Sequence, residues 1–291
     1  MRFSHLLTQP DDTPRLAVII DDEALFLDEI CTTAPRDLQE LIEGGTDALT
    51  RVRIDVDRAR QSGAHGRPTH EYKHASAILR PPQILAIGAN YAAHASELKL
   101  RSEKAATVFS LWPNSLTGHD STTSWPEDLS SQVDYEAELG VIIGRPAKNV
   151  KAHEALDYVW GYTVVNDITA RDLQFTEAQW SRCKSFDGFT PTGPVVVTSD
   201  EIPDPQDLWL TTNVDGTIMQ DSSTADMVRS VAEIIELLSQ SATVPPGTLI
   251  STGSPGGAGY SRKPPVFLRD HSTVTVSVSN IGYLTTHCRV I

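Results

Sequence analysis

The sequence predicts an α+β protein that is mostly β, and three observations support this prediction. From about residue 80 onward, short β-type runs dominate and are bounded by Gly, Pro, Asn and Asp residues. The few helical segments in this part do not alternate with the strands, which argues against a doubly wound sheet. Residues 1–78 have a different pattern, which indicates a small α/β unit. A chain of 291 residues is long enough for one large domain or two smaller ones.

Two strands and two helices are predicted in the N-terminal unit. Two apolar runs flank the turn sequence Asp-Asp-Glu, which predicts a hairpin. A Pro near the start and a Gly at the end bound the first helix, and apolar residues at helical spacing continue into the second. The polar segment 63–76 is expected to be a connector. The predicted elements are RLAVII (15–20), ALFLDEI (24–30), PRDLQELIEGG (35–45) and TDALTRVRIDVDRARQSG (46–63).

Residues 79–291 are expected to form a second, larger domain. Its predicted helices cover 165–180 and 224–240, and the second of these carries an apolar stripe at helical spacing. The predicted strands are ILAIG (84–88), AELGVIIG (137–144), YTVVNDI (162–168), GPVVVT (193–198), LWLTTNVDG (208–216), TLISTG (248–253) and STVTVSVSNIGYL (272–284).

Composition excludes several classes of protein. With 24 basic and 38 acidic residues the formal net charge is −14, and this argues against binding to nucleic acid or to an anionic membrane surface. The three cysteines, Cys31, Cys183 and Cys288, form neither a CxxC pair nor a zinc spacing, which favours a reducing cytoplasmic location. Neither a signal peptide nor an apolar run of roughly 18 residues is present, so we expect a soluble protein.

The segment VDYEAELGVIIG (133–144) places two carboxylates in a strand that otherwise has the pattern of a buried one. Alternate side chains of a strand share a face, so Glu136 and Glu138 lie on the same side as Gly140 and Ile142. Two like charges on one face of an inner strand repel each other and lose hydration. A cation, a pair of Arg or Lys partners, or open water could offset that cost.

A third carboxylate suggests which cation the segment could hold. Asp167 stands at the end of another apolar strand, next to Asn166. Two glutamates and an aspartate form an all-oxygen, trianionic set that suits Mg²⁺ or Mn²⁺, whereas zinc would more often recruit His or Cys. Pairing of the glutamates with Arg or Lys, or a solvated face, remains the alternative.

Two further features are typical of catalytic sites but have ordinary explanations as well. His94 and Glu97 are three residues apart and would share a helix face, where the carboxylate could orient the imidazole as a general base. The same spacing is common in exposed surface pairs. Lys184 lies in a Gly- and Pro-bounded segment, although a lone Lys in a loop is usually a surface charge.

The loop GTLISTGSPGGAGYSRKPPVF (247–267) is rich in small residues that allow close approach of a ligand to the backbone. The loop does not match the phosphate-binding GxxxxGK[ST] pattern, and GxGxxG is also missing. The sequence contains neither a G-x-S-x-G elbow nor an HExxH motif. Serine-hydrolase, P-loop, Rossmann and zincin functions therefore lose their usual support.

Taken together, these segments resemble the fumarylacetoacetate hydrolase family. The resemblance is an ordered series over about residues 80–291 and not a single motif. The series is IGANYAAHASEL, VDYEAELGVIIG, GYTVVNDITARDLQ, KSFDGFTPTGP, NVDGTIMQDSSTADM and STGSPGGAGYSRKPPVFL. It implies a layered β-roll with helices over 79–291, commonly a homodimer, preceded by the small variable domain of longer members over 1–78.

The resemblance also implies a role for each candidate residue. Residues at the positions of Glu136, Glu138 and Asp167 hold Mg²⁺ or Mn²⁺ in the family. Residues matching His94 and Glu97 form a dyad on a short helix that orders over the site when ligand binds. The positions expected to face the substrate are Lys184, Arg171, Gln174 and, in the Gly-rich loop, Ser254. Lys184 is also expected to be catalytic, because its positive charge would stabilise the enolate that C–C cleavage leaves.

The implied activity is metal-dependent hydrolysis of a C–C bond in an acylpyruvate or related diketo acid, with release of pyruvate or a similar 2-oxo acid. A decarboxylase of the oxaloacetate type and an isomerase of the 2-hydroxyhepta-2,4-diene-1,7-dioate type are the alternatives within the family. A weakly catalytic relative that only binds a ligand is a further alternative. It stays open because Leu111 stands where many relatives have Lys. Smaller departures are His119, at a position that is commonly Pro, and Ser254, at a position that is more often Thr.

Overall fold

The computed structural model describes residues 1–9, 13–98 and 106–291 of the chain. Its strands are β1 (Arg2–Leu7), β2 (Arg15–Ile20), β3 (Glu23–Phe26), β4 (Arg67–Pro68), β5 (Lys73–His74), β6 (Ile84–Gly88), β7 (Thr107–Ser110), β8 (Leu116–Thr117), β9 (Ser121–Trp125), β10 (Val133–Asp134), β11 (Ala137–Ile143), β12 (Val159–Asn166), β13 (Thr169–Ala170), β14 (Thr190–Thr198), β15 (Trp209–Val214), β16 (Thr217–Ser223), β17 (Leu249–Ser251), β18 (Thr273–Val278) and β19 (Gly282–Val290). Its helices are α1 (Leu27–Ile30), α2 (Leu38–Glu43), α3 (Gly45–Gln61), α4 (Ala92–Glu97), α5 (Ala152–Ala155), α6 (Arg171–Thr176) and α7 (Val231–Ser241).

A large mixed sheet runs through the molecule in the strand order β4-β3-β2-β1-β14-β12-β11-β17-β6-β7. Strands β11 and β12 lie near its centre and pair antiparallel, with Ala137 opposite Asn166. Their apolar residues are buried on both faces because the sheet is covered on both sides. A second sheet has the order β16-β15-β18-β19-β9, and β10 pairs with β13. The predicted α+β, mostly β fold class is confirmed.

Two hydrophobic cores cover opposite faces of the large sheet. The first core lies between the two sheets and includes Leu139 and Val141 of β11. The second core includes Ile142 of β11 and Val165 of β12, together with residues of α2 and α3. Successive residues of β11 therefore alternate between the two cores, as the period of a strand requires. Glu138 lies on the face of the second core.

The N-terminal residues are joined to the rest of the molecule through this sheet. Strand β1 pairs antiparallel with β14, and Phe3 stands opposite Val196. The Phe3 ring packs at 5.4 Å from the Trp160 ring in the second core. The predicted hairpin is present as β2 and β3. Its second strand is shorter than predicted, because β3 ends at Phe26 and α1 follows. The boundary at residue 78 stays a prediction, and the structure shows one sheet and one core that extend across it.

Two predicted helices are shorter in the structure than the sequence pattern suggested. The helix predicted over 165–180 is confined to α6, because β12 continues to Asn166 and β13 follows it. The helix predicted over 224–240 begins only at Val231. There, Ser230 and Glu233 form a capping box that satisfies free N–H groups of the first turn. None of the helices among the described residues is long and apolar enough to cross a membrane.

Replacing Phe3 with Ala should test whether the N-terminal residues share the stability of the whole molecule. Phe3 is fully buried, and we expect its truncation to lower the free energy of unfolding by about 3–5 kcal/mol. Urea unfolding should show one transition that shifts as a whole, since the sheet is continuous. The control, Ile54→Ala, alters a residue that is 52% exposed. Two separate transitions, only one of them shifted, would indicate an independent N-terminal domain.

The buried imidazole of His5 should make the stability depend on pH. Its Nε2 accepts a hydrogen bond from the Leu38 N–H at 3.1 Å, and its Nδ1 lies 3.2 Å from the Ala77 carbonyl oxygen. Burial lowers the pKa of His5 to about 4 and outweighs the opposing charge of Asp37. The unfolded chain takes up this proton near pH 6.5, whereas the folded protein does so only near pH 4.

Stability should therefore fall as the pH drops through this window. From pH 7.5 to pH 5 the loss attributable to His5 is about 2 kcal/mol. His5→Gln keeps an acceptor and a donor but does not titrate, so its free energy of unfolding should vary less over this range. Urea unfolding of both proteins at the two pH values measures the difference. Equal pH dependence in both proteins would contradict the account.

Candidate active site

Three buried carboxylates meet at the ends of β11 and β12. Glu136 immediately precedes β11, Glu138 lies within it, and Asp167 follows the last residue of β12. The Asp167 N–H donates to the Glu136 carbonyl oxygen at 3.0 Å, which brings the strand ends together. One oxygen from each of the three carboxylates lies within 4.8 Å of the other two. These three residues are called the carboxylate triad below.

Glu136 is compensated by basic side chains. Its Oε2 accepts from Lys184 Nζ at 2.7 Å, and its Oε1 accepts from Arg171 Nη2 at 2.7 Å. His94 Nε2 lies 3.1 Å from the same Oε1. Burial favours a raised pKa for Glu136, but the charges of Arg171 and Lys184 outweigh it and hold the pKa well below its usual range. The sequence left open that the glutamates pair with Arg or Lys and not with a metal. Such pairing is present for Glu136.

No basic side chain among the described residues contacts Glu138, and the charge of Lys184 acts on it only from a distance. Its Oε2 accepts hydrogen bonds from the Ser251 hydroxyl at 2.5 Å and from the Gly253 N–H at 2.8 Å, and both of these donors are neutral. Burial and the negative charges of Asp167 and Glu136 raise its pKa well above the usual value. A carboxylate in this position attracts either a proton or a metal cation.

Asp167 is compensated on one oxygen only. Its Oδ2 accepts from Lys184 Nζ at 2.6 Å, whereas its Oδ1 is buried without a hydrogen-bond partner among the described residues. Burial raises the pKa of Asp167 to about 6, against the opposing charge of Lys184. An orphaned carboxylate oxygen beside Glu138 is a free ligand position, and oxygen donors suit a hard divalent cation. The residues present thus fit Mg²⁺ or Mn²⁺.

A small cavity of about 10 Å³ lies over the triad. This volume is close to the minimum that holds one water molecule. The lining contains His94, Gln174, Lys184 and Ser254, whereas Arg171 and Glu97 are not part of it. The remaining wall is largely apolar and is formed by Ile87, Gly88, Ala89, Leu98, Phe109 and Trp180.

The predicted dyad is present on α4, which forms one wall of the cavity. His94 Nδ1 lies 3.2 Å from Glu97 Oε2, and the Gly257 N–H donates to Glu97 Oε1 at 2.8 Å. Burial favours a lowered pKa for His94, but the hydrogen bonds to Glu136 and Glu97 outweigh it and raise the pKa. Both ring nitrogens face carboxylate oxygens, and this arrangement favours a protonated imidazole.

Lys184 uses all three of its N–H donors within the protein. Besides Glu136 and Asp167, it donates to the Thr169 hydroxyl at 2.8 Å. The charges of Asp167 and Glu136 outweigh burial and raise its pKa, so the ammonium group stays protonated. In this arrangement Lys184 compensates two members of the triad.

Arg171 lies behind Glu136 and away from the cavity. Its Nε donates to Asp134 Oδ2 at 3.1 Å, and its Nη1 donates to Gln174 Oε1 at 2.8 Å. The guanidinium group stacks 4.4 Å from the Tyr260 ring centroid. The direct substrate contact expected of Arg171 stays a prediction. Its contacts in this structure orient Glu136 and Gln174.

Ser254 and Gly253 place the Gly-rich loop against the triad. Gly253 has φ +98°, and a Cβ atom there would lie 2.8 Å from the Ile87 carbonyl oxygen, so only glycine fits. Ser254 is 1% exposed, and its hydroxyl oxygen accepts from Gln220 Nε2 at 2.8 Å.

Sequence reasoning missed several residues that support the site. Asp134 stands two residues before Glu136, and alternate residues of a strand share a face. The same pattern that identified Glu136 therefore also pointed to Asp134. Thr169, Ser251 and Gln220 carried no signal, because single hydroxyl or amide side chains are common in any strand. Leu111 is buried in the second core and does not line the cavity.

The chain is similar to known proteins in both sequence and structure. Residues 83–289 match the family model described as fumarylacetoacetate (FAA) hydrolase C-terminal. An uncharacterized protein of Staphylococcus aureus (strain USA300) is 42% identical over 210 residues, which cover 72% of this chain and 70% of that protein.

Solved structures agree with this match. The fumarylacetoacetate hydrolase of psychrophilic Exiguobacterium antarcticum superimposes with a TM-score of 0.87 at 33% identity and covers 100% of both chains. Maleylpyruvate hydrolase of Sphingobium sp. SYK-6, in complex with manganese(II) and pyruvate, has a TM-score of 0.82. Its identity of 24%, over 100% of this chain and 99% of that one, shows a shared fold.

A mostly β fold with a buried carboxylate triad that could hold a metal ion defines the class as an enzyme of the fumarylacetoacetate hydrolase type. The chain belongs to the fumarylacetoacetate hydrolase family.

Replacing Glu138 with Gln should change metal binding and stability in opposite directions. The Gln carbonyl oxygen can accept from Ser251 and Gly253, and the substitution removes a negative charge beside Asp167 and Glu136. We expect the chelator-treated variant to be more stable than the parent by about 1–2 kcal/mol. Its affinity for Mn²⁺ should fall by about 100-fold or more.

Calorimetric Mn²⁺ titration and urea unfolding of the same samples measure both effects. Glu154→Gln is the matched control, since this side chain is 58% exposed. Undiminished Mn²⁺ affinity in the Glu138 variant would show that the triad is not the metal site.

Proposed function

We propose that this protein is a divalent-metal-dependent hydrolase that cleaves a C–C bond in an acylpyruvate or a related diketo acid. One observation carries the proposal. Glu138 and Asp167 Oδ1 form an uncompensated, buried, all-oxygen site, and the His94–Glu97 pair lies beside it. The manganese(II) and pyruvate named for the maleylpyruvate hydrolase structure give this chemistry a precedent within the fold.

Glu136, Glu138 and Asp167 are the proposed ligands of Mg²⁺ or Mn²⁺. Such a cation supplies electrophilic stabilisation for the enolate that C–C cleavage releases. Lys184 and Arg171 limit the repulsion among the carboxylates before the cation binds, because both contact Glu136. They therefore allow three carboxylates to remain in a buried position.

His94 is the proposed general base, and Glu97 orients it. Glu97 is itself fixed by the Gly257 N–H, so the position of the imidazole depends on the Gly-rich loop. His94 Nε2 now faces Glu136 Oε1 at 3.1 Å. It has to leave this oxygen and lose its proton before it can deprotonate water.

Gln174, Ser254 and Arg171 are the proposed substrate contacts. Lys184 is a proposed catalytic residue whose positive charge would stabilise the enolate. Arg171 can only donate, so Gln174 Oε1 must face it, and the Gln174 amide N–H groups remain for a ligand in the cavity. A 2-oxo acid presents carboxylate and keto oxygens that accept such bonds. The cavity of about 10 Å³ is too small for this molecule. Substrate entry therefore requires a movement of the cavity wall, which includes His94 of α4 and Leu98 directly after this helix.

The proposed reaction consumes one water molecule. His94 takes a proton from water, and the resulting hydroxide attacks the distal carbonyl carbon of the diketo acid. The C–C bond breaks, and its electron pair passes into the pyruvate enolate. The enolate then takes up a proton, so the products are pyruvate and the carboxylate of the acyl group.

Three broader properties complete the proposal. We propose a small N-terminal domain, 1–78, that shares its sheet and the second core with the catalytic domain, 79–291. A homodimer and a cytoplasmic location are proposed from the family resemblance, the acidic composition and the separated cysteines.

Pyruvate release from acetylpyruvate tests the proposed reaction. We expect release with Mg²⁺ or Mn²⁺ and loss of release with excess chelator. His94→Asn should lower kcat for acetylpyruvate by about 10²–10⁴-fold, because it removes the base that activates water. His153→Asn, whose side chain is 78% exposed, is the matched control.

The same assay with oxaloacetate separates hydrolysis from decarboxylation, which needs no water. Pyruvate release from oxaloacetate alone, unaffected by His94→Asn, would show a decarboxylase. Metal-dependent change in the absorbance of a 2-hydroxydienoate, without pyruvate release, would show an isomerase. Absence of all three activities would contradict the enzymatic proposal.

A further inference from the structure

Gln220 is a buried amide that connects three elements of the candidate site. It lies in β16 and is 1% exposed. The pairing of β15 with β16 shifts register so that Thr212 stands opposite Gln220, whereas Asn213 stands opposite Ile218. Met219 is the extra residue of this bulge, and both Met219 and Gln220 are buried. The irregularity turns the amide into the interior, a common effect of a bulge.

All four hydrogen-bonding positions of the Gln220 amide are used. Its Oε1 accepts from the Ala137 N–H at 2.9 Å and from the Thr212 hydroxyl at 2.7 Å. Its Nε2 donates to Ser254 Oγ at 2.8 Å and to the Pro255 carbonyl oxygen at 2.9 Å. Ala137 is the residue between Glu136 and Glu138, so the amide joins the triad strand to the Gly-rich loop.

The orientation of this amide follows from its backbone partners. The Ala137 N–H can only donate and the Pro255 carbonyl can only accept, so the oxygen and nitrogen of Gln220 cannot be exchanged. Ser254 Oγ must therefore accept from Gln220. In the part of the chain that the structure describes, the Ser254 hydroxyl proton has no acceptor, and Ser254 lines the cavity over the triad.

We propose that Gln220 is a positioning residue that makes Ser254 a hydrogen-bond donor toward an oxygen of the bound ligand. The ligand class is a carboxylate or enolate oxygen that accepts this bond. The inference rests on the proposed function in assigning Ser254 to the substrate. Gln220 acts through Ser254 and touches neither the substrate nor the triad side chains.

The test is a double-mutant cycle of Gln220→Met and Ser254→Ala. For each protein, kcat/KM with acetylpyruvate is measured, together with the Kd of oxalate in the presence of saturating Mn²⁺. Oxalate is chosen because it presents adjacent carboxylate oxygens and is not turned over in the proposed reaction. We expect Ser254→Ala to lower both quantities by about 10–100-fold and Gln220→Met to lower them by about tenfold.

The decisive value is that of the double variant. If Gln220 acts through Ser254, the double variant matches Ser254→Ala alone within about threefold. A merely structural role predicts that the two losses multiply, and that result overturns the inference. An oxalate affinity that Ser254→Ala leaves unchanged overturns it as well.

Two controls separate orientation from packing. Thr212→Val removes the other side-chain partner of Gln220 but leaves the bond to Ser254, so both quantities should stay within about threefold of the parent. The Mn²⁺ affinity of Gln220→Met should also be unchanged. If Thr212→Val lowers kcat/KM and oxalate affinity as Gln220→Met does, or if Gln220→Met lowers the Mn²⁺ affinity, Gln220 acts through packing or through support of the triad strand.

Gln220→Glu is the second variant, because the Met variant leaves the buried Ala137 N–H unpaired and could fail to fold. The protonated Glu acid can still donate to Ser254 or Pro255, whereas the ionised carboxylate accepts the Ser254 proton and turns the hydroxyl away from the cavity. The same loss is therefore expected at a pH high enough to ionise the introduced carboxyl group, and it should diminish as the pH falls. If acetylpyruvate is not turned over but the oxalate series behaves as described, the proposed reaction is wrong and the role of Gln220 stands. If the parent turns over acetylpyruvate but the losses of the two single variants multiply in the double variant, the proposed reaction stands and the role of Gln220 is wrong.

Discussion

The structure depends on the unequal compensation of three buried carboxylates. Glu136 is held by Lys184 and Arg171, so its charge is stabilised without any added group. Glu138 and one oxygen of Asp167 receive no basic partner among the described residues. Buried charges without a partner are costly, and a cation bound between these carboxylates would offset the cost. The arrangement therefore destabilises the protein locally and would favour the binding of a metal.

The large sheet explains how this cost is tolerated. Strands β11 and β12 are covered by hydrophobic cores on both faces, and their pairing fixes the separation of Glu136 and Asp167. The N-terminal strands extend the same sheet and contribute Phe3 to the second core, the core on the face of Glu138. A rigid central strand pair is the support that a precise ligand set needs.

Much of this arrangement could be predicted from the sequence. The period of two in Val133–Gly144 predicted that Glu136 and Glu138 share a face with Ile142, and Ile142 lies in the second core while Val141 lies in the first. Local patterns also predicted the hairpin of β2 and β3. The helix predicted over 165–180 is longer than the observed one, because the end of β12 and the short strand β13 occupy its first residues.

The long-range contacts could not be predicted from local patterns. Lys184 and Arg171 gave no sign that they compensate Glu136, since each is separated from it by more than thirty residues. The bulge that turns Gln220 inward arises from the register of β15 and β16, which the sequence does not specify. The pairing of β1 with β14 likewise depends on the whole sheet. These features follow from tertiary packing, and the sequence indicates only the residues that take part.

An anomalous difference map from crystals grown with Mn²⁺ is the most direct test of the central claim. The account predicts a peak bounded by oxygens of Glu136, Glu138 and Asp167, at roughly 2.0–2.3 Å from the nearest carboxylate oxygens. Ordered density for Lys184 should remain beside Glu136. A peak elsewhere would contradict the claim that the uncompensated charge is a metal site. The absence of a peak at saturating Mn²⁺, with only Lys184 between the carboxylates, would contradict it as well.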